Sequence, residues 1–274
     1  MSSPLAAHTV ETLHDRPVHI AFSSASAGNL GLHVGQNFLD VLKNREHLEQ
    51  SLNLGSEQFT YVNQVHGVDI VDADTQYLQP VMPHSYHEQE RLMYAQSLLT
   101  DAPQADAVIS AQGKPLAIMV ADCIPVIFTA ECSATYFPLT AVAHAGRRGL
   151  LDGVLQQTVE SLVRRGAEKI TAWIGPSICG ECYEVPEKMQ EESTQILSAV
   201  RSQTRWGTTA LDLSAGAEQA LRQLPYEIKI DTSMACCTFE NQHLFSHRRG
   251  EPQGRFAGLV WVENLRERGT SVNL

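Results

Sequence analysis

The sequence lacks the features of membrane proteins and of nucleic-acid-binding proteins. No apolar run approaches the roughly 20 residues that are needed to cross a bilayer. The 31 acidic residues outnumber the 20 Lys and Arg residues, and the resulting net charge of −11 argues against binding to a phosphate backbone. The first residues do not combine a basic segment with an apolar one, so no secretory signal is expected and a cytoplasmic protein is predicted.

Cysteine frameworks and familiar glycine motifs are also missing. The six cysteines are too few and too unevenly spread for a disulfide scaffold, which favours reduced thiols. Gly28, Gly31 and Gly35 lie in a loop of small residues, but their spacing does not match the dinucleotide fingerprint GxGxxG. We interpret this segment as a surface loop, with a loop that approaches a ligand as the alternative.

The chain does contain alternating strand-like and helix-like segments, which predict one layered α/β (α+β) domain over residues 1–274, with its core at about 18–262. Apolar residues at helical spacing predict helices at 37–52, 150–165, 186–200 and 210–224. β-branched and aromatic runs predict strands at 18–23, 58–65 with a continuation at 68–71, 105–110, 116–120, 139–143, 170–174, 227–230 and 258–262.

Residues 74–105 are interpreted differently from the predicted helices and strands. They contain several prolines and are interpreted as an irregular, solvated insertion. His84 and His87 stand at a spacing that would place both on one face of a helix, so a metal-binding pair is the alternative.

Three of the predicted strands lead to a residue that can bind a metal ion. These residues are His66, Cys123 and His144, and the last two segments are predicted to turn at Pro125 and Gly146. If neighbouring strands of one sheet carry them, two imidazoles and one thiolate converge. Three protein ligands are the number that catalytic zinc sites use while one position stays open.

The three residues form no local motif, so two other interpretations stay open. Two hydrogen-bonded histidines and one buried thiol would need no metal. A structural metal site would need a fourth protein ligand, for which Cys132 and His33 are candidates. In that case the protein would be a metal-stabilised binding module without enzymatic activity.

A second group of cysteines raises the question of zinc or redox chemistry. Cys179 and Cys182 form a CxxC pair, and Cys236 and Cys237 could complete a site of four thiols. No second CxxC pair stands at zinc-knuckle spacing, so paired structural thiols are the favoured interpretation.

Six segments, taken together, are highly specific for one family. They read NQVHG, ADAVIS, PLAIMVADCIPVIF, AVAHAGRRG, WIGPSICGECYEV and LFSHRR. With these segments the chain resembles the laccase-domain family, whose members are known as multicopper polyphenol oxidases, as peptidoglycan-editing factors and as purine nucleoside phosphorylases with adenosine deaminase activity. The resemblance runs from about residue 18 to 262.

The resemblance implies one catalytic zinc ion, bound by the same three residues to which the strand ends point: His66, Cys123 and His144. It also implies a layered α/β fold similar to that of certain cysteine-hydrolase toxins, with the site at a sheet edge. The sequence departs from the family pattern at three positions, where Arg147 replaces Trp, His247 replaces Tyr and Gln36 replaces Asp. The extra charge at position 147 bears on substrate preference.

The first functional hypothesis is a zinc-dependent purine nucleoside phosphorylase for adenosine, inosine, guanosine or methylthioadenosine that also deaminates adenosine, because zinc-activated water is a competent nucleophile. Arg148, at a predicted helix start, is a candidate catalytic residue and phosphate ligand, and Arg248 is a second phosphate contact. Asn29 is a further candidate for substrate or phosphate binding. Asp122, beside Cys123, is a candidate acid or base, with a structural carboxylate that caps the turn as the alternative.

The second hypothesis is a cytoplasmic amidase that removes a wrongly incorporated amino acid from a peptidoglycan precursor.

A copper phenol oxidase is disfavoured, because none of the 11 histidines is two residues from another and one Cys with two His lacks the axial ligand of a blue-copper site. The implied partners are a purine nucleoside and phosphate, without nucleic acid or membrane. The oligomeric state stays open.

Overall fold

Two sheets and the helices that cover them form the fold, in a computed structural model that describes residues 3–35, 37–75 and 87–263. The strands are β1 (Leu5–Leu13), β2 (Arg16–Ser23), β3 (Ile70–Asp72), β4 (Ala107–Ser110), β5 (Leu116–Val120), β6 (Ile124–Glu131), β7 (Leu139–Ala145), β8 (Lys169–Ile174), β9 (Arg201–Gln203), β10 (Thr209–Leu211), β11 (Ile228–Asp231) and β12 (Phe256–Val262). The α-helices are α1 (Phe38–Ser51), α2 (Glu88–Thr100), α3 (Arg147–Asp152), α4 (Val154–Arg164), α5 (Glu187–Ile196) and α6 (Leu213–Arg222).

The first sheet is antiparallel and has the strand order β1-β2-β12-β5. The second sheet has the order β11-β8-β6-β7-β4-β3, with parallel pairs at both edges and antiparallel pairs in its centre. Strands β9 and β10 form a separate antiparallel ribbon. One antiparallel sheet and one mixed sheet, together with the helices between their strands, confirm the predicted α/β class.

The two sheets face each other and bury a shared apolar layer. Ile20 and Ile118 of the first sheet belong to the same cluster as Val142 and Trp173 of the second. Helices α3, α4 and α6 cover the outer face of the second sheet, and α1 covers that of the first. Because the central strands are buried on both faces, they read as nearly continuous apolar runs in the sequence.

Helix α4 shows how the outer layer is held. Leu155, Val159 and Leu162 follow helical spacing and are buried against the second sheet. Burial of side chains of this size contributes roughly 1.5–3 kcal/mol each. The helix starts after Gly153, whose φ of 96° separates it from α3, so the predicted helix at 150–165 is in fact two helices and begins earlier, at Arg147.

The alternation of side chains places one predicted ligand between the sheets. His144 lies two residues after Val142 on β7, and therefore points to the same inter-sheet face. The chain crosses from the first sheet to the second in the turn between β5 and β6, which contains Asp122 and Cys123. Asp122 has a φ of 90° in this turn, a conformation that is uncommon for residues other than glycine.

Three predictions about the ligand-bearing segments are wrong. Residues 58–65 are not a strand, since only isolated bridges at Thr60 and Asn63 pair this segment. The ligands therefore do not come from neighbouring strands of one sheet: Cys123 follows a strand of the first sheet, and His144 lies in the second. Pro125 does not form the turn but lies inside β6, opposite His144.

The segment 74–105 is partly helical, which corrects the interpretation as an irregular insertion. Helix α2 occupies most of its second half, and His87 is the residue at its N-terminal cap. His84 is one of residues 76–86, which lie outside the described residues. Among the described helices, none has the length and apolar character that a membrane span requires.

Candidate metal centre and its cavity

The structure brings His66, Cys123 and His144 together, and we call these three residues the open cluster. Their ligand atoms all lie within 4.8 Å of one another, and the Cys123 Sγ is 3.8 Å from the His66 Nε2. Among the described residues no fourth ligand joins this group: Cys132 and His33, the two candidates from the sequence, are not members of it. A metal ion held here would keep an open coordination position.

Asp106 is fully buried and anchors two of the three ligands. Its Oδ1 lies 2.7 Å from the His144 Nδ1, which leaves the Nε2 of that ring as the available ligand atom. The main-chain N–H groups of Val65, His66 and Gly67 donate to the same carboxylate at 3.1, 2.9 and 2.6 Å. His66 has a φ of 60°, so these bonds stabilise a backbone conformation that is otherwise unfavourable.

The segment that carries His66 packs closely against the start of α3. Arg148 donates from Nε to the carbonyl of His66 at 2.9 Å and from Nη2 to that of Val65 at 2.7 Å. At Gly146 a Cβ atom would lie 2.7 Å from the His66 Cδ2 and 3.2 Å from the Cys123 Sγ. The glycine of the HAG motif therefore provides the space that the two ligands occupy.

The ligands change one another's protonation. Burial raises the pKa of the Cys123 thiol, but His144 and His66 outweigh this effect and lower it to about 6. Burial lowers the pKa of His144, but the Cys123 thiolate and Asp106 outweigh it and raise the pKa to about 9. A thiol that ionises this readily is a prepared metal ligand, because the thiolate is the form that binds.

The open cluster borders a cavity of about 450 Å³, a volume that accommodates a small molecule. Its lining combines three arginines with apolar side chains: Arg147, Arg148 and Arg248 on the one hand, and Val65, Ala121, Ile178, Tyr183 and Leu213 on the other. Two of the departures from the family pattern, Arg147 and His247, line this cavity. Such a wall suits an anionic ligand together with an apolar or aromatic one.

Asp122 and Arg248 both line the cavity, and both make hydrogen bonds to other segments of the chain. The Asp122 carboxylate accepts hydrogen bonds from the Thr238 hydroxyl and from the main-chain N–H of Arg248, each at 2.6 Å. The Arg248 guanidinium donates from Nη1 to the carbonyl of Glu184 at 2.9 Å and lies over the Tyr183 ring at 5.2 Å. These bonds tie the turn at Asp122 to the segments of Thr238 and Arg248, and the role of Asp122 as an acid, a base or a structural carboxylate stays a prediction.

Asn29 is not among the described residues that line the cavity. Its side-chain amide donates to the carbonyls of Gly31 and Val34, and its Oδ1 accepts from the N–H groups of Gly31 and Arg255. The structure therefore places this predicted binding residue inside its own loop. Gln36, the third departure from the family pattern, lies outside the described residues.

Asp106 is the residue that sequence reasoning missed. It is the single charged residue in the predicted strand ADAVIS. A carboxylate inside a buried apolar run needs hydrogen-bond partners. The place of Asp106 in such a run was therefore the sequence signal that could have identified it. Which partners it finds depends on β4 lying beside β7, which only the fold shows.

The fold and the site define an α/β protein of two packed sheets with an open three-ligand cluster beside a cationic cavity. Residues 14–263 match the sequence model of the family described as multi-copper polyphenol oxidoreductase laccase, and the chain belongs to that family. The resemblance inferred from the six segments is thereby confirmed.

Similar proteins include both curated relatives and solved structures. Purine nucleoside phosphorylases of Streptomyces coelicolor and Mycobacterium bovis are 36% and 37% identical over 86% of this chain, and over 88% and 84% of their own lengths. A Neisseria meningitidis protein of the DUF152 family superposes with a TM-score of 0.68 at 27% identity, covering 94% of this chain and 99% of its own. YlmD from Geobacillus stearothermophilus has a TM-score of 0.68 at 26% identity, covering 96% and 94%.

Proposed function

We propose that this protein is a zinc-dependent purine nucleoside phosphorylase that also deaminates adenosine, with adenosine, inosine, guanosine and methylthioadenosine as its substrate class. The observation that carries the proposal is the open cluster on the wall of a cavity that three arginines line. The names of the relatives support purine nucleosides as the general substrate class, and the four individual nucleosides are part of the proposal. The cluster supplies the site for zinc, and the arginines supply the site for phosphate.

His66, Cys123 and His144 are proposed to hold the zinc ion. Two imidazoles and one thiolate form a donor set that zinc accepts readily. When bound, zinc would supply Lewis-acid chemistry, polarising a substrate group or activating water. A blue-copper centre would require an additional axial ligand such as methionine, and no methionine is among the described residues that line the cavity.

Arg148 and Arg248 are proposed to bind the phosphate that attacks the nucleoside. The two bonds of Arg148 to main-chain carbonyls use Nε and Nη2, and the bond of Arg248 to Glu184 uses Nη1, so each guanidinium has further N–H groups to donate. Charge-assisted bonds of this kind orient phosphate beside C1′ of the ribose while the C1′–N bond breaks and the base leaves. Arg147 adds positive charge beside them.

The remaining residues are proposed to position rather than to react. Tyr183 and Ile178 offer an apolar surface to the purine ring. Asp122 holds the turn at Cys123 and the main chain of Arg248, because both of its carboxylate oxygens already accept hydrogen bonds. Asn29 shapes its loop through the bonds described above.

A product assay on purified protein tests this function. Inosine and adenosine are supplied with and without inorganic phosphate, and the products are identified by mass. We expect base and ribose 1-phosphate only when phosphate is present, and inosine from adenosine in its absence. Absence of turnover with both nucleosides would overturn the proposal, and release of an amino acid from a peptidoglycan precursor would then support the amidase.

Two matched arginine variants test the phosphate site. Arg148→Met removes a charge from the cavity wall, whereas Arg164→Met removes one from an exposed position on α4. We expect KM for phosphate to rise about 10-fold to 100-fold in the first variant, because hydrogen bonds to charged groups contribute about 1.5–3 kcal/mol. The second variant should match the wild type, and equal values in both would contradict the assignment.

A further inference from the structure

Three cysteines and one glutamate form a second compact group, which we call the closed cluster. The ligand atoms of Cys179, Cys182, Cys237 and Glu240 all lie within 4.8 Å of one another. Zinc binds thiolates and carboxylates, and structural zinc sites surround the ion with four protein ligands. We propose that the closed cluster binds a structural zinc ion in addition to the metal ion of the open cluster.

Two turns deliver the ligands of the closed cluster. The N–H of Cys182 donates to the carbonyl of Cys179 at 3.0 Å, so the CxxC pair stands on a tight turn. A parallel bridge between Ser177 and Cys237 brings the third thiol beside that turn. The carbonyl of Cys237 then accepts the N–H of Asn241 at 3.1 Å, which closes the turn that contains the glutamate.

The thiols of Cys179 and Cys182 resist ionisation when no cation is bound. Burial raises the pKa of Cys182 to about 12, and the neighbouring thiols of Cys179 and Cys237 add to this effect. Burial and Cys237 also raise the pKa of Cys179. A divalent cation reverses this preference, because it binds the thiolates and releases their protons.

Arg205 supplies positive charge beside the closed cluster. Its guanidinium contacts Glu240 at 2.5 Å and Glu181 at 3.3 Å. Three thiolates and one carboxylate carry twice the negative charge that a zinc ion neutralises, so an adjacent cation offsets part of the excess. The arginine also fixes one carboxylate oxygen of Glu240, and the second oxygen stays available as a ligand.

Cys236 does not belong to the closed cluster, although it is the immediate neighbour of a member. It is exposed, and its Sγ accepts a hydrogen bond from the Asn241 side chain at 3.6 Å. The site of four thiols that the sequence allowed is therefore not formed. Cys236 provides a control position with the same chemistry and nearly the same place in the chain.

A zinc ion in the closed cluster would tie the cavity wall to the segment that supports Asp122. Tyr183, which follows Cys182, lines the cavity. Thr238, which follows Cys237, donates to the Asp122 carboxylate. The ion therefore holds two loops together without contributing a group to the reaction, and it is expected whichever reaction the open cluster performs.

Elemental analysis of protein purified without chelators tests the proposal. We expect two zinc ions per chain in the wild type and in Cys236→Ser, and one in Cys237→Ser. The variant Cys123→Ser should also retain one, held by the intact closed cluster. One ion per chain in the wild type together with none in Cys123→Ser would overturn the proposal, as would a disulfide between Cys179 and Cys182 in the purified protein.

Cobalt substitution gives a second readout that does not depend on the folding of Cys237→Ser. The near-ultraviolet thiolate-to-cobalt absorption scales with the number of thiolate ligands, of which the closed cluster has three and the open cluster one. The cobalt-loaded Cys123→Ser variant should therefore keep about three quarters of the wild-type intensity, because only the open cluster loses its thiolate. Loss of the whole band in this variant would show that the closed cluster binds no cobalt.

Discussion

The open cluster and the closed cluster both contain cysteine, but they differ in the number of ligands and in the pKa of their thiols. The open cluster offers three ligand atoms beside a cavity of about 450 Å³, whereas the closed cluster surrounds its centre with four. In the open cluster burial is outweighed by the imidazoles, and the pKa of Cys123 falls to about 6. In the closed cluster burial and neighbouring thiols raise the pKa of Cys182 to about 12. The number of ligands and the charge around them, rather than the presence of cysteine, distinguish the proposed site for substrate from the proposed site for stability.

The largest difference between the clusters should appear in activity. In Cys123→Ser we expect inosine phosphorolysis to fall at least about a thousandfold, equivalent to about 4 kcal/mol of transition-state stabilisation, because the Lewis acid is lost. The melting temperature should fall less than in Cys237→Ser, because Asp106 still holds the main chain of His66 and the ring of His144. Steady-state kinetics and thermal denaturation of the same preparation measure both, and an inactive variant that is also strongly destabilised would make the open cluster structural.

The closed cluster should show the reverse pattern. Cys237→Ser is expected to lose about 4 kcal/mol of stability if free zinc is present at roughly a thousand times its dissociation constant. For a chain of this size that corresponds to a melting temperature about 10 °C lower. Differential scanning calorimetry measures this change, with Cys236→Ser as the control. Equal melting temperatures in the two variants would remove the distinction between the clusters.

A change at Asp106, which supports the open cluster, should have a smaller effect than the loss of one of its three ligands. Asp106→Asn places an amide nitrogen opposite the N–H groups of Val65 and Gly67 or opposite those of His66 and His144, so at least one hydrogen bond becomes a repulsive contact. Removal of such a supporting partner typically weakens metal binding about 10-fold to 100-fold. Competition with a chelator measures the affinity, and Asp69→Asn, at an exposed position nearby, is the control. Unchanged affinity would mean that His66 and His144 hold their positions without the carboxylate.

The smallest expected difference between the clusters is in the pH dependence of cysteine alkylation, measured in metal-free protein. The thiolate of Cys123 is present above its lowered pKa and is lost as the pH falls, so its alkylation rate should reach half its maximum near pH 6. Cys179 and Cys182 have raised pKa values and should react slowly throughout this range. Peptide mass spectrometry after timed iodoacetamide treatment measures each rate. A rate for Cys123 that still climbs above pH 8 would show that the imidazoles do not lower its pKa.

Periodicity in the sequence predicted most of the helices and the central strands well. Helix α1 begins directly after Asn37, the first residue of the predicted helix at 37–52, because a side-chain oxygen at that position accepts the free N–H groups of Leu39 and Asp40. Strands β5 and β7 were predictable because buried β-branched runs have few other structures available. Strand β6 was missed because Pro125 indicates a turn when its neighbours in the sheet are unknown.

The pairing of distant residues was harder to predict. The sequence shows that β5 and β7 are strands, but not that they belong to different sheets, so His66, Cys123 and His144 were expected on one sheet edge. The anchoring role of Asp106 and the exclusion of Cys236 from the closed cluster depend on contacts between segments far apart in the chain. Such contacts leave no periodic signal in either segment.

The sequence by itself determined most of the secondary structure, the membership of a family and the chemical identity of the three candidate ligands, because residue type and local spacing act over a few residues. The tertiary structure alone decided that a buried carboxylate orients two of these ligands, and that Cys237 and Glu240 join the CxxC pair while Cys236 does not. The physical reason is that coordination and hydrogen bonding act over a few ångströms in space. Which groups come that close is settled only when the two sheets and their connecting loops pack together.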